Sequence, residues 1–372
     1  MKKIGFIGWR GMVGSVLLER MSQESDFNKI DPYFFTTSQI GQSAPNFNQK
    51  EKELLDANSI EELTNMDIIM SCQGGAYTEK IYPLMKKNKW EGHWIDAAST
   101  LRMNKDALIV LDPLNGKTIN DAYKAGNKTW VGGNCTVSLM LLAIQGLIET
   151  NLVDWVSSMT YQAASGAGAQ NMKELVTQMG EIHASVANRI EKPNFSALEL
   201  DRDVQKKINS SSLSTDNFGG PLAGSLIPWI DQDLDNGRSK EEWKGQAETN
   251  KILALDFDSI KVDGICVRIG TMRSHSQALT IKLKKNIDLD SVVNLLSNGN
   301  KWIKLVDNNK KDSIAHLTPA AVSGKLDIAI GRVRMLDLEE NIISAFTVGD
   351  QLLWGAAEPL RRMLNILIKK ES

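Results

Sequence analysis

Through the first third of the chain, short apolar runs alternate with segments of helix length. Lys3 to Ile7 reads as a strand, and Val13 to Met21 carries the i, i+3, i+4 spacing of a helix. Further strands are expected at Tyr33 to Thr36, Asp67 to Ser71, Trp94 to Ala97 and Ala107 to Leu111. Strands separated by helix-length segments predict βαβ units and a parallel sheet. Near Val131 the pattern changes: Gly132-Gly133-Asn134-Cys135 is a tight turn, and Thr136 to Ile148 reads as one strongly apolar helix. Beyond Asp154, β-type runs at Trp155 to Gln162, Ile260 to Ile269 and Ala278 to Leu283 have helices between them, which predicts a second, mixed α/β unit with antiparallel pairs. Gln351 to Ile368 is amphipathic at helical spacing. Ile190 to Asn217, rich in Ser, Asn and Asp, reads as the most loop-like stretch, and Asn46 to Ser59 and Val306 to Asn341 read as surface.

With 372 residues, 42% of them hydrophobic, the chain can build two ordinary cores. A net charge of -2, with Lys and Arg spread along the chain, gives no footprint for nucleic acid or an anionic membrane. No apolar run reaches the length of a membrane span. Lys2 and Lys3 before Gly5-Phe6-Ile7-Gly8-Trp9 give a faint likeness to a signal peptide, but Arg10 interrupts the run and no small-residue cleavage site follows. A buried first strand is the expectation. Cys72, Cys135 and Cys266 form no pair or framework, which suits free thiols in a reducing cytoplasm, and the four histidines lack companions at metal-ligand spacing. No metal is expected.

The loop Gly8-Trp9-Arg10-Gly11-Met12-Val13-Gly14 joins the first strand to the first helix. Glycines there let the backbone turn tightly and approach a pyrophosphate, whose charge is met by amides at the helix N-terminus. The spacing is G-x-x-G-x-x-G, and a glycine-rich turn without a ligand is the alternative. The end of the second strand reads Thr36-Thr37-Ser38, with no carboxylate to accept bonds from a ribose 2′-hydroxyl. Hydroxyls with Arg10 nearby suit a 2′-phosphate instead, so NADP is the expected cofactor. Gly8, Arg10, Gly11, Met12, Val13, Thr37 and Ser38 are its candidate contacts. Gln73, in Cys72-Gln73-Gly74-Gly75 after a further strand, is expected on the nicotinamide side.

Cys135 starts an apolar helix, where unpaired amides and the helix dipole lower a thiol's pKa. A buried structural cysteine fits the same turn equally well. His275 by itself suits a satisfied strand residue, and Glu241 with Lys244 an exposed ion pair one helical turn apart.

Several ordered blocks then carry a resemblance. Gly5 to Gly14, Gly132-Gly133-Asn134-Cys135-Thr136-Val137, Tyr161-Gln162-Ala163-Ala164-Ser165-Gly166-Ala167-Gly168, Glu241 to Thr249, Val267 to Gln277 and Ala345 to Ala357 resemble the aspartate-semialdehyde dehydrogenases, most nearly those of Gram-negative bacteria. The likeness runs from end to end. It implies a Rossmann-like NADP-binding domain over residues 1–133, completed by a C-terminal helix over 355–372, and a mixed α/β catalytic and dimerisation domain over 134–354. It also implies a cytoplasmic homodimer that makes L-aspartate 4-semialdehyde and phosphate from L-aspartyl 4-phosphate and NADPH, in the biosynthesis of lysine, threonine, methionine, isoleucine and diaminopimelate. By position in the blocks, Cys135 matches the thioester-forming nucleophile and His275 the acid/base that deprotonates the thiol and protonates the oxygen. Arg268 matches the grip on the α-carboxylate, Glu241 the partner of the α-ammonium, and Arg102 with Lys244 the phosphate pair. Gln162 matches the residue that orients the acyl group, and Asn134 belongs with the substrate-binding set. Ser165, Gly166, Pro193 and Gln351 fall at cofactor contacts. Other phosphorylating aldehyde dehydrogenases that form thioesters, and a non-catalytic NADP-binding regulator, are the alternatives.

Overall fold

The computed structural model describes residues 1–47 and 49–371. Seven strands form the first sheet: β1 (Lys2–Ile7), β2 (Ile30–Thr36), β3 (Leu55–Asp56), β4 (Ile68–Ser71), β5 (His93–Asp96), β6 (Ala107–Val110) and β7 (Thr129–Gly132). Their order is β3-β2-β1-β4-β5-β7-β6, and every described pair is parallel. Between the strands run α1 (Met12–Gln23), α2 (Ile60–Thr64), α3 (Gly75–Lys87) and α4 (Asp112–Lys124). The alternation along β1 shows how both faces are covered. Ile4 and Phe6 pack with Val16, Leu17 and Met21 of α1, and Ile7 packs on the other side with Leu63 of α2 and Ile81 and Met85 of α3. A parallel sheet buried on both faces is the arrangement that the first third predicts.

The second half supplies α5 (Cys135–Ala143), α6 (Gln145–Glu149), β8 (Val153–Gln162), α7 (Ala169–Ile190), α8 (Ala197–Ile208), β9 (Leu226–Ile227) and α9 (Lys240–Ile252). It continues with β10 (Lys261–Asp263), β11 (Cys266–Ile269), β12 (His275–Leu283), α10 (Leu289–Ser297), β13 (Ile303–Leu305), α11 (Lys310–His316), α12 (Pro319–Val322), β14 (Ile328–Met335), β15 (Ile342–Gly349) and α13 (Glu358–Glu371). Its strands make one mixed sheet in the order β13-β14-β15-β12-β8-β11-β9, with β10 also paired to β8. Val153, Val156, Leu279, Ile281, Ile330 and Ile343 pack from this sheet against Leu139, Leu142 and Leu147 of α5 and α6 and Val292 and Leu296 of α10. The opposite face is bare. Trp155, Ser157 and Met159 of β8 stand beside Lys282, Thr280 and Ala278 of β12, and Phe346 of β15 lies against Tyr161 at 6.3 Å between ring centroids.

Five expectations are corrected. The apolar run after Cys135 is two helices broken at Ile144, because α6 is pressed so close to α10 that a Cβ on Gly146 would lie 1.9 Å from the Leu295 carbonyl oxygen. The loop-like stretch after Ile190 contains α8, capped by Ser196 and tied to α7 by Arg189–Asp203 at 2.7 Å and Lys207–Glu181 at 2.7 Å. Val306 to Asn341 is not all surface, since β14 crosses it with Ile328 and Ile330 fully buried. Asn46 to Ser59 likewise contains β3 and the buried Leu54 and Ala57. The C-terminal helix starts with a π-turn over Leu353–Ala357 before α13. In α13, Leu360, Met363, Leu364 and Leu367 return to the core of the first sheet. No described helix is long and apolar enough to cross a membrane.

Candidate active site

Two clefts meet the sequence-derived candidates. The first, of about 660 Å³, is lined by Gly8, Trp9, Arg10, Gly11, Phe35, Thr36, Thr37, Cys72 and Gln73. Gly8 has φ +72°, and a Cβ there would lie 2.4 Å from the Cys72 carbonyl carbon, so only glycine lets β1 pass this close to the end of β4. A Cβ on Gly14 would lie 2.4 Å from the Gly8 oxygen, which keeps the loop tight against α1. The N-cap of α1 is Gly11, whose missing side chain leaves the first amides of the helix open. Arg10 donates from Nη2 to Thr36 Oγ1 at 3.1 Å and from Nη1 to Gln39. No carboxylate lines this cleft. Ser38 sits beside it, its amide bonded to Thr36 Oγ1 at 3.3 Å, and Met12 is the first residue of α1. Gln73 lines this cleft with Arg10 and Thr37.

The second cleft, of about 980 Å³, brings together Val13, Arg102, Asn134, Cys135, Gln162, Ser165, Gly166, Glu241, Lys244, Arg268 and Gln351. The topology explains the convergence. Gln162 ends β8, its register partner Arg268 lies on the parallel strand β11, and His275 opens β12 at the same end of the sheet. Cys135 is the first residue of α5, and α9 offers Glu241 and Lys244 one turn apart on one face. Pro193 is exposed in the turn between α7 and α8 and lines neither cleft.

Glu241 is the hub. Its Oε1 accepts from Asn134 Nδ2 at 2.9 Å and Gln162 Nε2 at 3.2 Å, and its Oε2 from Lys244 Nζ at 3.0 Å. Burial pushes its carboxyl up, but the Lys244 ammonium and these donors outweigh that and hold it at about 2. Lys244 also donates to Asp231 Oδ2 at 2.6 Å. Burial works against its charge, yet the two carboxylates raise its pKa. Arg268 donates from Nη1 to the Ala163 carbonyl at 2.7 Å.

The Cys135 thiol departs from expectation. Burial pushes it up to about 12, Glu241 adds to the rise, and Arg268, Arg102 and Lys244 only partly oppose it. The helix N-terminus cannot rescue the thiolate, because Asn134 Oδ1 already takes the amides of Thr136 at 2.9 Å and Val137 at 3.1 Å. These surroundings favour the neutral thiol over the thiolate. The π-turn presses on it from behind: a Cβ on Gly355 would lie 2.5 Å from Cys135 Cβ.

His275 Nδ1 accepts the Ala163 amide at 3.0 Å, which fixes the neutral ring as the Nε2–H tautomer. Nε2 is buried without a partner, and it borders Gly166, where a Cβ would lie 3.1 Å away. Burial, then the Arg268 charge, lowers the ring's pKa to about 3. A neutral ring with its proton on Nε2 presents a hydrogen-bond donor there. The segment before it is held from behind. Ser274, in the left-handed region at φ +75°, donates its amide to Gln351 Oε1 at 2.7 Å, and Gln351 Nε2 reaches Ser165 Oγ.

Sequence reasoning missed one buried carboxylate. Glu248, two turns beyond Glu241, accepts from Arg102 Nη1 at 3.0 Å and from the Asn134 amide at 2.6 Å. It joins the candidate phosphate arginine to the residue that precedes Cys135. Its i+7 spacing from Glu241 was the available signal.

Comparison with known proteins gives the arrangement its context. Residues 3–122 match the family model of the semialdehyde dehydrogenase NAD binding domain, and residues 144–354 that of the semialdehyde dehydrogenase dimerisation domain. The first cleft therefore lies in a nicotinamide-dinucleotide-binding unit. Aspartate semialdehyde dehydrogenase from Francisella tularensis is 50% identical, with a TM-score of 0.94, over 99% of this chain and 100% of that one. Aspartate semialdehyde dehydrogenase II from Vibrio cholerae, solved in complex with ASA, is 25% identical, with a TM-score of 0.79, over 99% and 98% of the two chains. The Candida albicans enzyme, solved with NADP, shares the fold at a TM-score of 0.65 and 15% identity, over 99% and 97%. With half its residues identical to the Francisella enzyme along their whole shared length, the chain belongs to the aspartate-semialdehyde dehydrogenase family.

Proposed function

We propose that this chain converts L-aspartyl 4-phosphate to L-aspartate 4-semialdehyde and phosphate, with NADPH as reductant, through a thioester on Cys135, and so serves biosynthesis of the aspartate-derived amino acids and diaminopimelate. The observation that carries the proposal is the convergence on one thiol of three separate receptors: a guanidinium, a carboxylate and an ammonium. A substrate with an α-carboxylate, an α-ammonium and a phosphate needs those three. Arg268 takes the carboxylate with a planar fork, Glu241 the ammonium, and Lys244 with Arg102 the phosphate.

Cys135 attacks the acyl carbon; the C–S bond forms, the bond to the phosphoryl oxygen breaks, and the thiol's proton leaves with the phosphate as HPO₄²⁻. Bound NADPH supplies the hydride that reduces the thioester carbon. The resulting oxyanion needs only a hydrogen-bond donor, and the His275 Nε2–H is a buried, unpartnered one. Collapse of that oxyanion to the aldehyde breaks the C–S bond and releases the sulfur as thiolate, which takes one proton from solvent to restore the thiol. Gln162 and Asn134, both fixed on Glu241, hold the acyl group's surroundings in place.

NADP rather than NAD is favoured by Arg10 on Thr36 and by the lack of a carboxylate among the groups lining the first cleft. Ser165, Gly166 and Gln351, in the second cleft, suit its nicotinamide end, while the exposure of Pro193 gives that contact no support. Residues 1–133 with 355–372 form the cofactor-binding half and 134–354 the catalytic half. A second copy of the chain covers the bare sheet face of Trp155, Met159, Tyr161 and Phe346, giving the homodimer that the dimerisation-domain match supports. The test is reduction of the dinucleotide by aspartate semialdehyde. It should require phosphate and prefer NADP; activity that ignores phosphate, or equal use of NAD, would contradict the proposal.

A further inference from the structure

We propose that Asp231 determines specificity for the phosphoryl group: its carboxylate occupies the anion position on Lys244 until a more highly charged anion displaces it. The inference rests on the reading of Lys244 as a phosphate ligand.

Lys244 is buried and has two carboxylate partners of different kinds. Glu241, with 6% of its side chain exposed, is locked by Asn134 and Gln162 as well as by Lys244. Asp231, with 28% exposed, holds the same ammonium more closely, at 2.6 Å, and lines the cleft next to Ile230. Its other oxygen accepts the adjacent Gln232 amide, at 2.8 Å. Glu241 is thus part of the wall, and Asp231 is an outer occupant.

The backbone under Asp231 is built to hold it there. At φ +72° it lies in the left-handed region, which costs a non-glycine residue free energy and persists only where neighbours impose it. Trp229 Nε1 donates to the Asp231 carbonyl at 3.1 Å, and the Lys240 amide donates to Gln232 O at 2.7 Å, pinning the loop to the start of α9. A glycine would adopt this conformation freely. The aspartate is kept where its carboxylate meets the ammonium.

The charges of the cleft give the contact its meaning. Arg102 pairs with Glu248, Lys244 holds both Asp231 and Glu241, and Arg268 bonds to the Ala163 carbonyl, so three positive groups stand among three carboxylates. A phosphate dianion would be a third anion on an ammonium that already holds two carboxylates, and of those two Asp231 is the one able to leave, since Glu241 is also locked by Asn134 and Gln162. Binding must therefore turn the Asp231 carboxylate out to solvent. A dianion offers the ammonium more than the carboxylate does and wins the exchange, whereas a neutral or singly charged leaving group does not. Asp231 lowers affinity for every anion and costs the weaker ones most.

The phosphate Michaelis constant in the phosphorylating direction reads this directly for the full-length enzyme. Asp231→Asn removes the competing charge and should lower that constant by about two- to fivefold, the range of a partly exposed ion pair. Asp231→Gly, which also relieves the backbone, should lower it as well and guards against a folding failure of the first variant. If Asp231 merely positioned Lys244, both variants would raise the constant. Lys244→Ala separates the two claims. A raised phosphate constant in Lys244→Ala with no decrease in the Asp231 variants overturns the Asp231 proposal alone. No change in Lys244→Ala overturns the phosphate role of Lys244, and this inference with it.

Discussion

Replacing Glu248 by glutamine should damage the enzyme more than its distance from the reacting atoms suggests. The carboxylate is 1% exposed and has two donors: Arg102 Nη1 at 3.0 Å and the Asn134 amide at 2.6 Å. A glutamine side chain has one oxygen. Whichever way it turns, its NH₂ faces one of those N–H groups, and that donor is left buried and unsatisfied at a cost of about 1–3 kcal/mol. Arg102 also loses its ion-pair partner at 3.0 Å while keeping its bonds to Gly132 O at 2.7 Å and Ala97 O at 3.4 Å. Breaking a buried pair costs about 3–5 kcal/mol, and the retained bonds reduce that here, so a total of about 3–4 kcal/mol is expected. Denaturant unfolding, compared by midpoint in view of the two cores, measures the loss. Steady-state kinetics should show a raised phosphate Michaelis constant as the guanidinium loosens, and a reduced turnover as the turn before Cys135 shifts. A double-mutant cycle with Arg102→Met should give a coupling of about 1–3 kcal/mol. Loss of less than about 1 kcal/mol with an unchanged phosphate constant would refute the view that Glu248 ties the arginine to the nucleophile's turn.

Three further outcomes are expected. Arg10→Ala should narrow the NADP preference roughly tenfold or more, as loss of a charged hydrogen bond of about 1.5–3 kcal/mol requires; an unchanged NADP/NAD ratio would remove Arg10 from the 2′-phosphate site. Alkylation of Cys135 by an uncharged reagent should be slow at pH 7 and rise with pH up to at least 10, because a thiol at about 12 is ionised at pH 7 to only about one part in 10⁵, against about a few per cent for a free cysteine; a rate at pH 7 equal to that of a free thiol would contradict the neutral resting state. His275, held at about 3 against an ordinary 6.5, takes up a proton on unfolding between those values, so stability should rise with pH across that window by about 1.4 kcal/mol per unit from this ring. His275→Asn, whose Oδ1 can still accept the Ala163 amide, should flatten the slope by about that amount between pH 4 and 6, and equal slopes would place the ring's pKa near its ordinary value.

What the sequence made legible follows the range of each interaction. The glycine loop could be read because Gly8, Gly11 and Gly14 meet their constraint within one turn, and the absence of a carboxylate at Thr36 is local as well. The break at Ile144 could not, since the run is apolar on all sides and the cause is the Leu295 carbonyl, some 150 residues away. Strand β14 was hidden by Arg332 and Arg334 among Lys- and Asn-rich neighbours, although Ile328, Ile330 and Val333 are buried. Helix α8 buries no residue of its own and is held by salt bridges to α7; Leu200, Val204 and Ile208 recur at helical spacing, but the Ser- and Asn-rich stretches around the helix masked that signal. At the site, the resemblance named Cys135 but not its protonation. That depends on Asn134 taking the two amides and on Glu241 approaching from a helix more than 100 residues later. Asp231 was unreadable for the same reason, as it caps a lysine that carries an ordinary i, i+3 pair in sequence, and Glu248 had only its i+7 spacing from Glu241 to mark it, its partner Arg102 lying far away in the chain.

The account depends most on the covalent step at Cys135, and mass spectrometry of the quenched protein tests it directly. Incubation with aspartyl phosphate in the absence of NADPH should leave an aspartyl group on Cys135 alone, removable by hydroxylamine as a thioester is, and absent from Cys135→Ser. Cys72 and Cys266, both pushed up to about 12 by burial and neither among the residues lining the second cleft, should stay unmodified. An adduct on either of them, or turnover near normal in Cys135→Ser, would contradict the thioester mechanism.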